Sequence, residues 1–311
     1  MRILITGAFG YLGGRISSFF SSIPEYEIIL ASTRAVKIPY SSKNVKVVQI
    51  NWNDEKSISN ACTNIDIIVH TAGMNADDCS INPVDALNVN GIFTAKLVRN
   101  AISKKVKKII YFSTAHVYDS PLKGIISEDT CPQNKHPYST SHLAGENIVI
   151  QAHLSAKIQG IVLRLSNCIG APINIDSNCW MLLVNDLCMQ ITHNKEMKIN
   201  TNGKQLRNFI AIEDICRVVK LFAELNFRNN ENTIFNVGNK TISILDMAKI
   251  IQKRCKVILG FLPEFNINKQ DNFEVKNFEF ITNKLQSIGF KTHTSYEKEI
   301  DDLLIFCKNH F

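Results

Sequence analysis

Ile3-Leu4-Ile5-Thr6-Gly7-Ala8-Phe9-Gly10-Tyr11-Leu12-Gly13-Gly14 decides the fold: an apolar, β-rich run leads through evenly spaced glycines into a segment of helical period. Gly7 allows a tight turn after a strand, Gly10 lets the backbone approach a pyrophosphate at a helix N-terminus, and Gly13 lets helix and strand pack closely. Glycine-rich turns follow many strands. Here the strand before, the helix after and the position at the start of the chain mark a dinucleotide loop, with Phe9, Tyr11 and Leu12 between the glycines.

Outward from this loop, short β-rich runs alternate with longer segments of helical period. Strands are expected at Ile3–Ile5, Ile28–Ala31, Val45–Ile50, Ile67–His70, Ile109–Ser113 and Gly160–Leu165. Helices are expected at Tyr11–Ser21, Lys56–Ala61, Leu87–Ser103 and Tyr138–Ala152. This alternation reads as βαβ units and a Rossmann-type, doubly wound parallel sheet, an α/β fold, over residues 1–169. From about Gly170 the alternation fades, and residues 170–311 read as a smaller α+β region. It closes on a helix over Tyr296–Lys308, with Ser295 as its N-cap.

The 311 residues are 45% hydrophobic, enough for a substantial core, which excludes a disordered chain. No apolar run is long enough to span a membrane, and the first strand leaves no room for a signal peptide, so no membrane association and a cytoplasmic location are expected. The nine cysteines show no CxxC pair or metal-ligand spacing, so neither disulfide nor metal is expected. The net charge of +7 is spread along the chain, with one short cluster at Lys104, Lys105, Lys107 and Lys108. No aromatic residues interleave with these cations, and no nucleic-acid partner is expected.

An NAD-specific loop of this kind ends its second strand with an acid that binds the adenine ribose hydroxyls. Leu30-Ala31-Ser32-Thr33-Arg34 has none. Hydroxyls and a cation there suit a 2′-phosphate, which tilts the choice between NADP and NAD toward NADP; otherwise Arg34 is a solvated loop cation.

A longer set of segments resembles the extended short-chain dehydrogenase/reductase family, also called the NAD-dependent epimerase/dehydratase family. Besides the Thr6–Gly13 loop, these are His70-Thr71-Ala72-Gly73, Asn88-Val89-Asn90-Gly91, Phe112–Tyr118, Pro137-Tyr138 and Arg164-Leu165-Ser166-Asn167. Gly203 through Arg207-Asn208-Phe209 to Asp214, and Phe235-Asn236-Val237-Gly238, continue the series in the family's order. The resemblance implies that Thr71, Ala72, Gly73 and Asn88 line the cofactor. It also implies that residues 170–311 form a substrate-binding region interleaved with the first domain. At Asn51 the family often has an aspartate that contacts adenine, and asparagine still accepts that bond. Asp54 reads instead as the N-cap of the next helix.

The family's catalytic tyrosine, which exchanges a proton with the substrate oxygen, matches Tyr138. Its lysine partner, one helical turn on, is replaced by His142. The i,i+4 geometry survives, whereas an imidazole titrating at about pH 6.5 surrenders a permanent charge unless a nearby acid raises its pKa. Thr114 matches the hydroxyl that binds the reacting oxygen. Ala115-His116 follow where the family's dehydratases carry an Asp-Glu pair, which counts against 4,6-dehydration; His116 reads as an acid/base or a pocket wall. Asn167 and Arg207 match positions that contact the diphosphate of a nucleotide sugar, and Asn75 is a further substrate-side candidate.

The resemblance therefore implies an NAD(P)-dependent enzyme acting on a nucleotide-activated sugar by 4-keto reduction or 4-epimerisation. It also implies a homodimer built through Leu87–Ser103 and Tyr138–Ala152. The competing reading, motivated by the missing lysine, is a catalytically impaired cofactor sensor or scaffold.

Overall fold

The computed structural model describes residues 1–36, 43–268, Asp271 and 277–311. Contacts divide them into two compact units. The first is Met1–Ser120, Cys131–Leu165 and Cys216–Phe235; the second is Pro121–Thr130, Ser166–Ile215 and Asn236–Phe311.

A seven-stranded sheet has six strands in the first unit and a seventh that begins at that unit's last two residues, Ile234 and Phe235. Its strands are β1 (Arg2–Thr6), β2 (Glu27–Ser32), β3 (Val45–Gln49), β4 (Ile67–His70), β5 (Lys108–Thr114), β6 (Gln159–Leu165) and β7 (Ile234–Val237). They run across the sheet in the order β7-β6-β5-β4-β1-β2-β3, with parallel pairing from β1 through β6. The winding reverses between β1 and β4, the point where a doubly wound sheet opens a crevice beyond its carboxyl ends. Central strands read as continuous apolar runs because helices cover both faces: Ile3, Leu4, Ile5, Ile68 and Val69 are wholly buried.

Helices α1 (Tyr11–Ser21), α2 (Glu55–Ala61), α3 (Thr94–Ser103) and α4 (Pro137–Leu154) supply the covering. Asp54 caps α2 by accepting from the Lys56 N–H at 2.9 Å, as its sequence position suggests. The segment read as one helix over Leu87–Ser103 begins instead with a π-helical stretch, Leu87–Phe93. Such wide turns gather at functional sites. Two short helices the periodicity did not reveal, Ala76–Ile81 and Pro83–Ala86, start at Asn75 and Asn82, each of which accepts from a backbone N–H three residues on.

The second unit has a three-stranded sheet in the order Lys240–Ser243, Leu206–Ala211, Asn167–Ile169. Its helices Leu183–Asn194, Ile244–Leu259 and Tyr296–His310 share an apolar core that includes Leu187, Ile251 and Leu304. Ser295 caps the last of them, 3.2 Å from the Lys298 N–H. Cys188, Cys255 and Cys307 lie in this core, and burial pushes the Cys255 thiol up to about 11 and Cys307 to about 12. They are packing groups. Among the described residues no helix is long and apolar enough to cross a membrane, and no cluster of side chains is arranged to hold a metal ion.

Candidate active site

The loop between β1 and α1 passes its neighbours with no room for side chains at two of its glycines. Gly7 has φ +67°, a backbone state that side chains disfavour, and a Cβ there would stand 2.7 Å from the Ala72 nitrogen. At Gly13 a Cβ would come within 2.1 Å of the Gly7 carbonyl oxygen and 2.7 Å of Thr71 Oγ1. Helix and strand therefore touch backbone to backbone. Gly10 occupies the N-cap, and no side chain caps α1, whose first turn points its positive end at the crevice. Phe9, Tyr11 and Leu12 are half-buried around it. Thr71 is locked beside β1, its hydroxyl donating to the Thr6 carbonyl at 2.6 Å, which holds the Thr71–Gly73 segment against the loop.

Beyond the ends of β2 and β3 lies a pocket of about 490 Å³, lined by Thr33, Gln49, Asn51, Trp52, Asp54 and Phe93 among others. Trp52 and Phe93 stack with ring centres 5.5 Å apart. Asn51 Oδ1 accepts from the Asn53 N–H at 3.0 Å, so its carbonyl is already engaged in a turn. Arg34 is exposed, its backbone N–H donating to Ser32 Oγ at 3.1 Å. No carboxylate stands among Ser32, Thr33 and Arg34.

Tyr138 sits in the first turn of α4. Pro137 opens that helix, and the His136 ring caps it by accepting from the Tyr138 N–H at 3.2 Å. The ring of Tyr138 meets that of His142 edge-on, with centres 4.6 Å apart. Thr114, at the end of β5 and 4% exposed, acts on the phenol of Tyr138, and its oxygen accepts from the His116 N–H at 3.1 Å. The structure thus brings Tyr138, Thr114 and His142 together. Burial pushes the Tyr138 phenol above its usual value, and the Thr114 hydroxyl only partly opposes this. Burial pulls the His142 imidazole down to about 4, so it is neutral at pH 7. Glu146, one turn on, is committed to Arg164 at 2.7 Å and to the Ser113 hydroxyl.

His116 is half-buried, and its carbonyl accepts from Asn134 Nδ2 and Ser139 Oγ, fixing the strand end against α4. Asn75 serves its own helix, holding the Asp78 N–H at 2.9 Å. Asn88 is half-buried in the π-helical stretch. Its neighbour Asn90, which sequence reasoning passed over, is the interior organiser. Asn90 is 1% exposed, with Oδ1 accepting from the Met74 N–H at 3.0 Å and Nδ2 donating to Ser141 Oγ at 2.9 Å. His70 is likewise buried between Thr6 and Thr94, and burial with the nearby His142 pulls it down to about 3.

In the second unit, Asn167 pairs opposite Phe209 in parallel strands, so Asn167 and Arg207, two residues before Phe209, share a sheet face. Asn167 Nδ2 donates to the Asn208 carbonyl at 2.9 Å. Arg207 is half-buried, burial pulls its guanidinium below the usual value, and it has no ion pair among the described residues.

Residues 3–238 match the NAD dependent epimerase/dehydratase family, so the chain belongs to that family. It is 24% identical to a dTDP-D-glucose 4,6-dehydratase of Mus musculus over 332 aligned residues, covering 100% of this chain and 89% of that one. A GDP-6-deoxy-D-talose 4-dehydrogenase of Aggregatibacter actinomycetemcomitans is 26% identical over 250 residues, 79% of each chain. Among solved structures, the UDP-glucuronic acid 4-epimerase of Bacillus cereus in complex with UDP-glucuronic acid and NAD has the same fold, with a TM-score of 0.83, 22% identity and 100% coverage of both chains. These three are enzymes of three different reactions on nucleotide sugars, and a sensor or scaffold finds no support among them.

Proposed function

We propose that the protein is an NAD(P)-dependent oxidoreductase of a nucleotide-activated sugar, working in the direction of 4-keto reduction. The carrying observation is the neutral His142 edge-on against Tyr138. Where a lysine would stabilise phenolate, this turn offers no charge, so Tyr138 keeps its proton at neutral pH. That is the state needed to donate to a carbonyl oxygen, with Thr114 holding the same oxygen. A bound nicotinamide supplies the hydride. Oxidation of an alcohol, with which epimerisation begins, needs Tyr138 as a base and is disfavoured here. Dehydration is opposed by Ala115-His116, which bring no carboxylate beside Thr114.

The glycine cradle of Gly7, Gly10 and Gly13 fits a dinucleotide pyrophosphate, with Thr71, Ala72, Gly73 and Asn88 beside it and adenine in the pocket of Asn51 and Trp52. The exposed Thr33 and Arg34, without a carboxylate, support NADP over NAD. Arg207, half-buried without a counter-ion, suits the substrate diphosphate, and Asn167 on the same face assists it. Ile81, Val84, Leu87 and Ile92, 82%, 69%, 50% and 49% exposed, support a homodimer. The free state of all nine thiols suits a cytoplasmic location.

The test is cofactor content by mass spectrometry, then fluorescence titration with NADH and NADPH and turnover of 4-keto nucleotide sugars. Exchangeable binding that prefers NADPH, with stoichiometric oxidation of the cofactor, supports the reductase. Tightly retained NAD with turnover lacking added reductant makes it an epimerase, and binding of neither dinucleotide overturns the reading.

A further inference from the structure

Tyr111 lies in β5, 1% exposed, among the apolar residues Ile109, Ile110 and Phe112. Its hydroxyl crosses to α4, standing 3.1 Å from His142 Nδ1, 3.4 Å from the His142 carbonyl oxygen and 3.5 Å from that of Asn90. Room for it exists because residue 145 has no side chain: a Cβ on Gly145 would meet the Tyr111 hydroxyl at 2.3 Å and the Asn90 carbonyl at 2.7 Å. Glycine inside a helix costs backbone entropy that alanine does not, and α4 bears that cost where the hydroxyl enters.

A phenol has one proton, and the shortest of its three acceptor contacts is Nδ1. A neutral imidazole that accepts at Nδ1 carries its own proton on Nε2. The far edge of the ring faces the Thr71–Gly73 segment: a Cβ on Gly73 would lie 3.6 Å from His142 Cε1 and 3.9 Å from Nε2. The other acceptors within reach of Tyr111 are the backbone carbonyls of His142 and Asn90, both farther from its hydroxyl than Nδ1.

We propose that Tyr111 is the positioning residue for His142: its hydroxyl, seated over Gly145, donates to Nδ1, holds the ring as the Nε2–H tautomer and presents that N–H to a dinucleotide beside Gly73. This rests on the reading that the groove binds a dinucleotide. Tyr111 and Gly145 thereby let an uncharged side chain donate from a turn where the family carries a cation.

The experiment combines 15N–1H correlation spectroscopy of the His142 ring with fluorescence titration by NADH and NADPH in the absence of substrate. The parent is expected to show Nε2–H. Tyr111→Phe, which keeps the ring, is expected to release a mixture of tautomers and raise the dinucleotide Kd roughly 5–10-fold, the worth of one hydrogen bond. Gly145→Ala, which crowds the hydroxyl without removing it, is expected to shift the tautomer in the same direction. In a His142→Lys background Tyr111→Phe is expected to change Kd less than about twofold, because an ammonium has no tautomer to set. An Nδ1–H ring in a parent that binds the dinucleotide, or equal losses in both backgrounds, overturns the Tyr111 assignment alone. A parent that binds neither dinucleotide overturns the groove reading, and the donor role with it.

Discussion

His142 and Glu146 stand one turn apart on α4, 8% and 0% exposed, and the protein treats them in opposite ways. Glu146 is met by the forked guanidinium of Arg164, with contacts of 3.1, 3.2 and 2.7 Å, and by the Ser113 hydroxyl. The polar partner of the His142 ring is the Tyr111 phenol at 3.1 Å, with the Tyr138 ring edge-on beside it, and burial takes away its charge. Depth alone does not decide ionisation in an interior; the set of partners does. This helix therefore pairs its buried carboxylate with Arg164 and leaves the turn at Tyr138 without a charge.

Breaking the charged half of this comparison should have the largest effect. Glu146→Gln leaves Arg164 buried with half its partner and is expected to cost about 3–5 kcal/mol in denaturant unfolding. A Glu146→Leu/Arg164→Met pair, which removes both charges, should recover most of that loss. If the single and double variants are equally damaged, packing and not charge holds the two residues.

Restoring the family's charge tests the neutral half. His142→Lys is expected to lower the ionisation limb of Tyr138 in the pH–rate profile by about 1–2 units, and to raise alcohol oxidation at pH 7 by roughly 10–100-fold relative to ketone reduction. Profiles that superimpose in both directions would mean that Tyr138 does not carry the proton.

The neutral histidines also leave a mark on stability. Their folded-state values are depressed, to about 4 for His142 and about 3 for His70, so below about pH 6.5 the unfolded chain binds protons that the folded chain refuses. Stability is then full above pH 6.5 and falls as pH drops toward 4 and 3. Across that window the slope should approach two protons, and His142→Gln should remove one of them. Urea midpoints taken from pH 7 to 4.5 measure it, and an unchanged slope in the variant would show that His142 is charged in the fold.

The smallest effect belongs to the pocket rim, where water does the solvating. Asp54→Ala should cost about 1 kcal/mol through loss of the α2 cap while leaving dinucleotide affinity within about twofold. A collapse of affinity at unchanged thermal stability would make Asp54 a ligand of the pocket.

Much of this arrangement is legible in the chain. The glycine spacing announced the crevice, Asp54 and Ser295 announced their helices, and the i,i+4 relation of Tyr138 to His142 put both on one face of α4. Asn75 has a role the sequence reading did not give it: its side chain caps its own helix, and the signal was present in the acid three residues on, Asp78. Asn90 was overshadowed by Asn88, because a π-helical turn changes which residue of a helical run faces inward.

Sequence alone determined the doubly wound sheet, the glycine cradle and the loss of a permanent cation beside Tyr138, since these follow from local period, local spacing and residue type. Only the tertiary structure decided that burial lowers the His142 imidazole, that the Tyr111 hydroxyl, 31 residues away, stands 3.1 Å from its Nδ1, and that Gly145 makes the room. Charge state and tautomer depend on which groups lie within a few ångströms and how much water is excluded, and chain distance records neither.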